Sequence, residues 1–270
     1  MAKSEIIKNK KIDESSGMAL SRRYNDMLWT HNDSGSAAII YAMDFKGADL
    51  GTFSLNGEFP RDWEDMSSFK HKGQAYLLLA DSGDNLEINL TARLSIYKEP
   101  DIKTPRDNVI EPQWVIEYQY PKGKSYDVES VAVDITLNKI LLLSKRNKKV
   151  HIFELPLLMD SKLESQYFTE QLLTAKRLAK LDYIKRPTSM DISADGKYAV
   201  ILSYGKVFWF ENTINNNWAK TLKKPAKIIK YKGLYQPEAI SFGKTPYQLF
   251  ISTEKLPAKL LELDITNSNY

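Results

Sequence analysis

Apolar residues recur at every second position in short runs along most of the chain, the pattern of strands packed in sheets. Five of these runs resemble one another: 14–20, 62–66, 127–133, 187–192 and 236–242. In each, a polar pivot (Ser16, Glu64, Glu129, Thr188 or Glu238) is followed two positions later by Met18, Met66, Val131, Met190 or Ile240. The alternation puts pivot and apolar residues on one face, pointing inward. A second strand follows at nearly constant distance (27–31, 74–80, 139–144, 197–203, 248–253), then a third (38–43, 93–97, 149–155, 206–210, 259–263). Fourth strands are expected at 113–120 and 226–231, and a spare strand-like piece at 5–12 precedes the first unit.

Such a repeat has the period of propeller blades. The predicted fold is an all-β, five-bladed β-propeller with blades at 14–58, 62–121, 127–183, 187–232 and 236–270, the 5–12 strand completing the last blade and closing the ring. A β-sandwich of the same strands is the competing arrangement, but sandwiches rarely repeat a pivot at fixed offset. Two stretches interrupt the pattern, 99–112 and 156–177, and an amphipathic helix is predicted over 161–178. Both should project from the face opposite the pivots. Phe208, Trp209 and Phe210 follow the strand period and are expected to pack between blades, and 191–197 reads as an ordinary turn.

Composition narrows the function classes. Among 270 residues there is no cysteine, which excludes a disulfide framework, thiolate metal sites and cysteine nucleophiles. The charge surplus is small, 38 basic against 34 acidic residues with both signs interspersed, so nucleic acid is not an expected partner. No apolar run has the length of a membrane-spanning helix. The lysine-rich start, residues 1–11, lacks the apolar core of a secretory signal, so export requires a signal outside this sequence. A monomer is expected.

Equivalent pivots on five inner strands must meet around the axis. Three carboxylates brought together repel and gain protons unless a cation joins them. Oxygen donors in this number, completed by water or carbonyls, suit Ca²⁺ better than Mg²⁺ or Zn²⁺. The predicted metal ligands are Ser16, Glu64, Glu129, Thr188 and Glu238; a water-filled channel whose glutamates pair with lysine or arginine is the alternative. Second strands return to the pivot face, where Asn32, Asp33, Arg61, Lys145, Arg146, Arg186, Tyr204, Glu254 and Lys255 form a candidate site for a phosphate or carboxylate. Asp62, Asp81 and Asp84 are candidate general bases. The turn sequences at 32–35 and 81–85 also have a plain reading, since Asn and Asp satisfy local backbone groups. A lone His31 reads as a hydrogen-bonding residue.

A ring of Ser, Glu, Glu, Ser and Glu resembles that of the soluble calcium-activated nucleotidases (apyrases) and of the bacterial SdiA-regulated propellers. Ser16, Glu64, Glu129 and Glu238 match by type, and Thr188 keeps the hydroxyl of the second serine. The resemblance implies five blades, a central calcium and a periplasmic or extracellular home, although a cytoplasmic one stays open. Other nucleotidase motifs are missing, so nucleotide hydrolysis is not implied. The chain is expected to be a Ca²⁺-dependent hydrolase of a small anionic substrate, or else a non-catalytic module binding a protein or glycan around a structural calcium. No Gly-x-Ser-x-Gly or His-Glu-x-x-His motif occurs, which removes two hydrolytic classes. Glycoside hydrolysis stays open; a lactonase reading requires six blades.

Overall fold

The computed structural model describes residues 2–33, 35, 37–56, 61–103, 109–146, 148–159, 172–213 and 217–266. Five sheets each run outward through antiparallel neighbours from an inner strand, Ser15–Leu20, Trp63–His71, Val128–Asp134, Pro187–Ile192 or Pro237–Phe242, and three of them end on a strand from elsewhere in the chain. Successive inner strands touch and the last touches the first, so the sheets are the blades of a closed five-bladed propeller. The fourth strand of blade 5 is Ala2–Ile6, paired antiparallel with Lys259–Asp264. The N-terminus thus closes the ring as expected, but earlier than 5–12. Ile7 and Ile12 leave the strand to bury their side chains between blades 5 and 1.

The core is five apolar clusters, each held between two successive blades. Every blade is therefore buried on both faces, and alternate residues of one strand serve different clusters. Ile140 and Leu142 face blade 2, whereas Leu141 and Leu143 face blade 4. This explains why second strands such as Lys139–Ser144 are near-continuously apolar. Phe208 and Phe210 pack toward blade 3 and Trp209 toward blade 5, as their alternation predicts.

An inner strand has no strand neighbour on its axial side, so its backbone groups need other partners. Side chains of other inner strands supply them. Ser67 Oγ accepts from Val133 N (3.1 Å), Ser189 Oγ from Ile240 N (3.1 Å), Asp191 Oδ2 from Phe242 N (2.9 Å) and Ser241 Oγ from Leu20 N (2.9 Å). These buried serines and aspartates lace the blades together where a cysteine-free chain has no covalent clasp.

Both interruptions return as strands on the preceding blade. Val109–Ile110 pairs in parallel with Asp49–Leu55 of blade 1, and Leu173–Thr174 in parallel with Pro112–Gln119 of blade 2. Each covers an outer sheet edge. The helix expected over 161–178 is corrected where it is described: Leu173–Thr174 and Lys176–Leu181 are strands, because Lys176–Leu181 pairs with Val150–Pro156 as the fourth strand of blade 3. Residues 160–171 lie outside the described part.

Candidate functional site

Each of the five pivots sits at the same irregularity. The pairing of inner and second strands shifts between Ser15 and Gly17, Trp63 and Asp65, Val128 and Ser130, Pro187 and Ser189, and Pro237 and Ala239. The skipped residues are Ser16, Glu64, Glu129, Thr188 and Glu238, all at most 6% exposed. A bulge leaves one residue out of the ladder and re-aims its side chain. Repeated at five inner strands, it turns the pivots toward one mouth of the channel.

Just below this ring the channel is plugged. Asp65, fully buried in blade 2, accepts from its neighbour Met66 N (2.9 Å), from Val131 N of blade 3 (2.9 Å), and from Met190 N (3.0 Å) and Ser189 Oγ (2.9 Å) of blade 4. Blades 2 and 4 are not neighbours, so this one carboxylate reaches across the axis. The mouth is consequently a bowl with a floor rather than a pore. Sequence reading missed Asp65: a carboxylate follows the pivot only in blade 2, but its partners lie in blades 3 and 4, far along the chain.

Within the bowl, the carboxylates divide into a compensated set and an uncompensated one. Lys145, at the end of the second strand of blade 3, is paired with Glu129 and lies 3.6 Å from Glu238. Glu238 Oε1 also accepts from Tyr204 Oη (2.7 Å). Burial alone would lower the Lys145 pKa, but Glu129 and Glu238 hold it above the usual lysine range. Arg146 Nε lies 2.5 Å from the buried Asp127. Here the alternative reading, glutamates paired with a basic side chain, describes two of the three ring glutamates.

Glu64 differs. Its carboxylate is buried, and burial, reinforced by Glu129, Asp33 and Asp62, pushes its pKa well up. Among the described residues no ammonium or guanidinium lies within ion-pair distance of it. It belongs to two oxygen triads, Asp33–Asp62–Glu64 and Glu64–Asp127–Glu129, whose ligand atoms lie within 4.8 Å of one another. Gly83 lies against the first: a Cβ there would stand 2.1 Å from Glu64 Oε1 and 2.5 Å from the Asp62 carboxylate, so a side chain at this position would displace both carboxylates.

The other predicted residues sort by what they touch. Ser16 Oγ donates to Glu64 O (2.7 Å) and Thr188 Oγ1 to Pro237 O (3.1 Å), so both hydroxyls link blades. Asp81 Oδ1 accepts from Arg61 N (3.2 Å) and Asp62 N (2.9 Å), and its Oδ2 lies 3.4 Å from Arg61 Nε, so Asp81 positions that turn. Asp84 Oδ2 accepts from Asn89 N (2.7 Å) within its own loop. Of the three candidate bases, Asp62 is the one brought beside Glu64. Asn32 Nδ2 donates to Lys11 O (2.7 Å) and Asp13 Oδ1 (3.0 Å), tying down the segment that enters blade 1. Lys255 Nζ lies 5.9 Å from the Tyr235 ring, and Arg186 is exposed where blade 4 begins. His31 is wholly buried; its Nδ1–H donates to Asn32 O (2.9 Å) and burial lowers its pKa, leaving it neutral.

Glu254 completes the bowl. Gln236 Nε2 donates to its Oε2 (2.8 Å), and burial, then Glu238 and Asp33, raise its pKa to about 7. With Glu64 and Glu238 also raised by burial, and Glu129 raised by burial to about 8 in spite of Lys145, the folded protein binds more protons at the mouth than the unfolded chain does. That contribution is complete below about pH 4.5, the ordinary glutamate value, and is lost as pH rises through about 7 to 8. In chelator, the melting temperature is therefore expected to fall as pH is raised from 5 to 8. A flat or rising profile over that window overturns the reading.

No protein-family profile matches the chain, and no curated protein is similar to it. Among solved structures, it is similar to a chain of the crystal structure of the nidogen/laminin complex, at 13% identity and a TM-score of 0.45, over 94% of this chain and 77% of that one.

Proposed function

We propose that this propeller binds Ca²⁺ at the mouth of its channel and uses the bound cation to hold a small phosphorylated or carboxylated molecule for hydrolysis. The observation that carries the cation site is Glu64: a buried carboxylate at the centre of two oxygen triads, with no ammonium or guanidinium within ion-pair distance among the described residues. A buried charge without a partner is costly, and the donors are hard oxygens only, which favours Ca²⁺ over ions that seek nitrogen or sulfur. Asp33, Asp62 and Glu64 would hold it, with Asp127 and Glu129 adjoining. A central calcium is also what the pivot ring implies by its resemblance to calcium-activated nucleotidases.

The cation would polarise a ligand oxygen. This chain's residues do the rest. Arg146, half-exposed beside Asp127, and Arg61, held at the rim by Asp81, would neutralise the ligand's charge. Asp62 would orient a water with the carboxylate oxygen it does not lend to the cation, and Glu254, raised to about 7, would exchange a proton at neutral pH. The second reading is a calcium-pinned binding module. It is favoured by the commitment of Asp81 and Asp84 to backbone groups, which leaves few carboxylates free for chemistry.

Calcium at one hundred times its dissociation constant is expected to stabilise the protein by about 2.7 kcal/mol, and Glu64→Gln to abolish that gain. Thermal unfolding in EDTA and in Ca²⁺ measures both, and an unchanged melting temperature for the parent protein sinks the proposal. Nucleotides, sugar phosphates and aryl esters, each assayed with and without Ca²⁺, then separate the readings. Calcium-dependent turnover supports the hydrolase, whereas a calcium-stabilised protein inert to all of them supports the binding module.

A further inference from the structure

We propose that the mouth face docks on an anionic phospholipid surface, led by the loop 82–90 between the second and third strands of blade 2. The loop has inverted polarity. Three of its polar side chains are used internally, with Glu87 left exposed: Ser82 Oγ donates to Val128 O (2.8 Å), Asp84 is 5% exposed and organises the turn through Asn89 N, and Asn85 receives Arg146. Its apolar side chains point outward, with Leu86, Ile88 and Leu90 77%, 67% and 64% exposed. The turn is fixed by Glu87 N donating to Asp84 O (2.8 Å) and by a left-handed Glu87 (φ 52°), so the apolar tip is held out on a structured loop.

The feature extends across the face. Leu86, Ile88, Leu90, Tyr204, Tyr235 and Leu256 are six of the twelve exposed large apolar side chains among the described residues, and all six lie on connections that open to the mouth. Charge selects the occupant. Lys122 and Lys124, on the connection from blade 2 to blade 3, are exposed, as are Lys148, Lys149, Lys185, Lys232 and Lys255 on other mouth-side connections. On the described mouth-side connections the exposed acids are Asp13, Glu14, Glu87 and Asp182, the last paired with Lys149, and they are outnumbered by ten exposed lysines once Lys8, Lys10 and Lys11 join those above. Protruding aliphatic tips inside a basic collar match the interface of an anionic bilayer, whose acyl boundary takes the tips and whose phosphates take the lysines. This docking uses the rim and is independent of the cation site in the bowl.

The test is co-sedimentation of the full chain with phosphatidylcholine vesicles and with mixed phosphatidylcholine/phosphatidylglycerol vesicles, in EDTA so that calcium bridging cannot contribute. Binding is expected to the mixed vesicles only, and to weaken with salt. Leu86→Ser, Ile88→Ser and Leu90→Ser combined should weaken it at least about tenfold, without moving the melting temperature because the three side chains are solvent-facing. Lys122→Glu with Lys124→Glu should also weaken it. No binding to the mixed vesicles, or binding indifferent to the triple substitution, overturns the proposal. So does a concentration-dependent dimer that the triple substitution dissociates, since the tips would then be covered by a second copy.

Discussion

Asp65→Ala is expected to destabilise the protein by at least about 4 kcal/mol, a large share of the roughly 5–15 kcal/mol typical of a folded domain. The substitution removes one acceptor from four donors, Met66 N, Val131 N, Met190 N and Ser189 Oγ, all buried, and each orphaned donor costs roughly 1–3 kcal/mol. Burial pushes the Asp65 pKa up and the three N–H groups and the hydroxyl oppose it. Donors on every side leave nothing to accept a carboxylic proton, so the ionised form is the one the site fits. Asp65→Asn keeps the shape but sets an amide N–H₂ against those donors, and should lose an intermediate amount. Urea unfolding of both variants measures this. A loss below about 1 kcal/mol for Asp65→Ala would show that water fills the site without penalty and that the floor of the bowl is not a staple.

The second large effect is conditional on the cation. Lys145→Met removes the ammonium from Glu129 and Glu238, which are 3% and 5% exposed. Breaking a buried pair by deleting one partner typically costs about 3–5 kcal/mol, because the remaining charge stays buried. In EDTA that loss is expected in full or relieved by proton uptake at lower pH. In millimolar Ca²⁺ most of it should return, since the freed carboxylates extend the oxygen set around Glu64, and the variant's calcium affinity should exceed the parent's. Calorimetric titration together with melting curves reads both quantities. A loss that Ca²⁺ leaves untouched would mean that the bowl takes no divalent ion, and the cation proposal would fail with it.

The pivots and the blades were legible because a propeller writes the same strand five times. Ser16, Glu64, Glu129, Thr188 and Glu238 announce themselves as polar residues at a fixed offset before Met18, Met66, Val131, Met190 and Ile240. The bulge that re-aims them has no signature of its own, yet its regularity is what keeps the offset constant. Asp65 was not legible. Its partners lie 66 and 125 residues away, and nothing local separates a carboxylate that crosses the axis from one that faces solvent. Lys145 was placed at the mouth but not inside the ring, since side-chain direction at a strand end depends on the blade's twist. The 161–178 stretch read as an amphipathic helix, but where the chain is described, pairing of Lys176–Leu181 with Val150–Pro156 outweighs that local preference.

The strand that closes the ring contributes differently from the rest. All five residues of Ala2–Ile6 are exposed, so it adds ladder hydrogen bonds to Lys259–Asp264 while burying little apolar surface. Ala2–Ile6 and Lys259–Asp264 must therefore meet before blade 5 is complete, and a growing polypeptide carries Ala2–Ile6 unpaired until Lys259–Asp264 has been made. During that interval the same five residues fit the open edge of any other copy as well as their own. Crowding of nascent chains would favour exchange of this strand between molecules, and dilute refolding would favour the closed monomer.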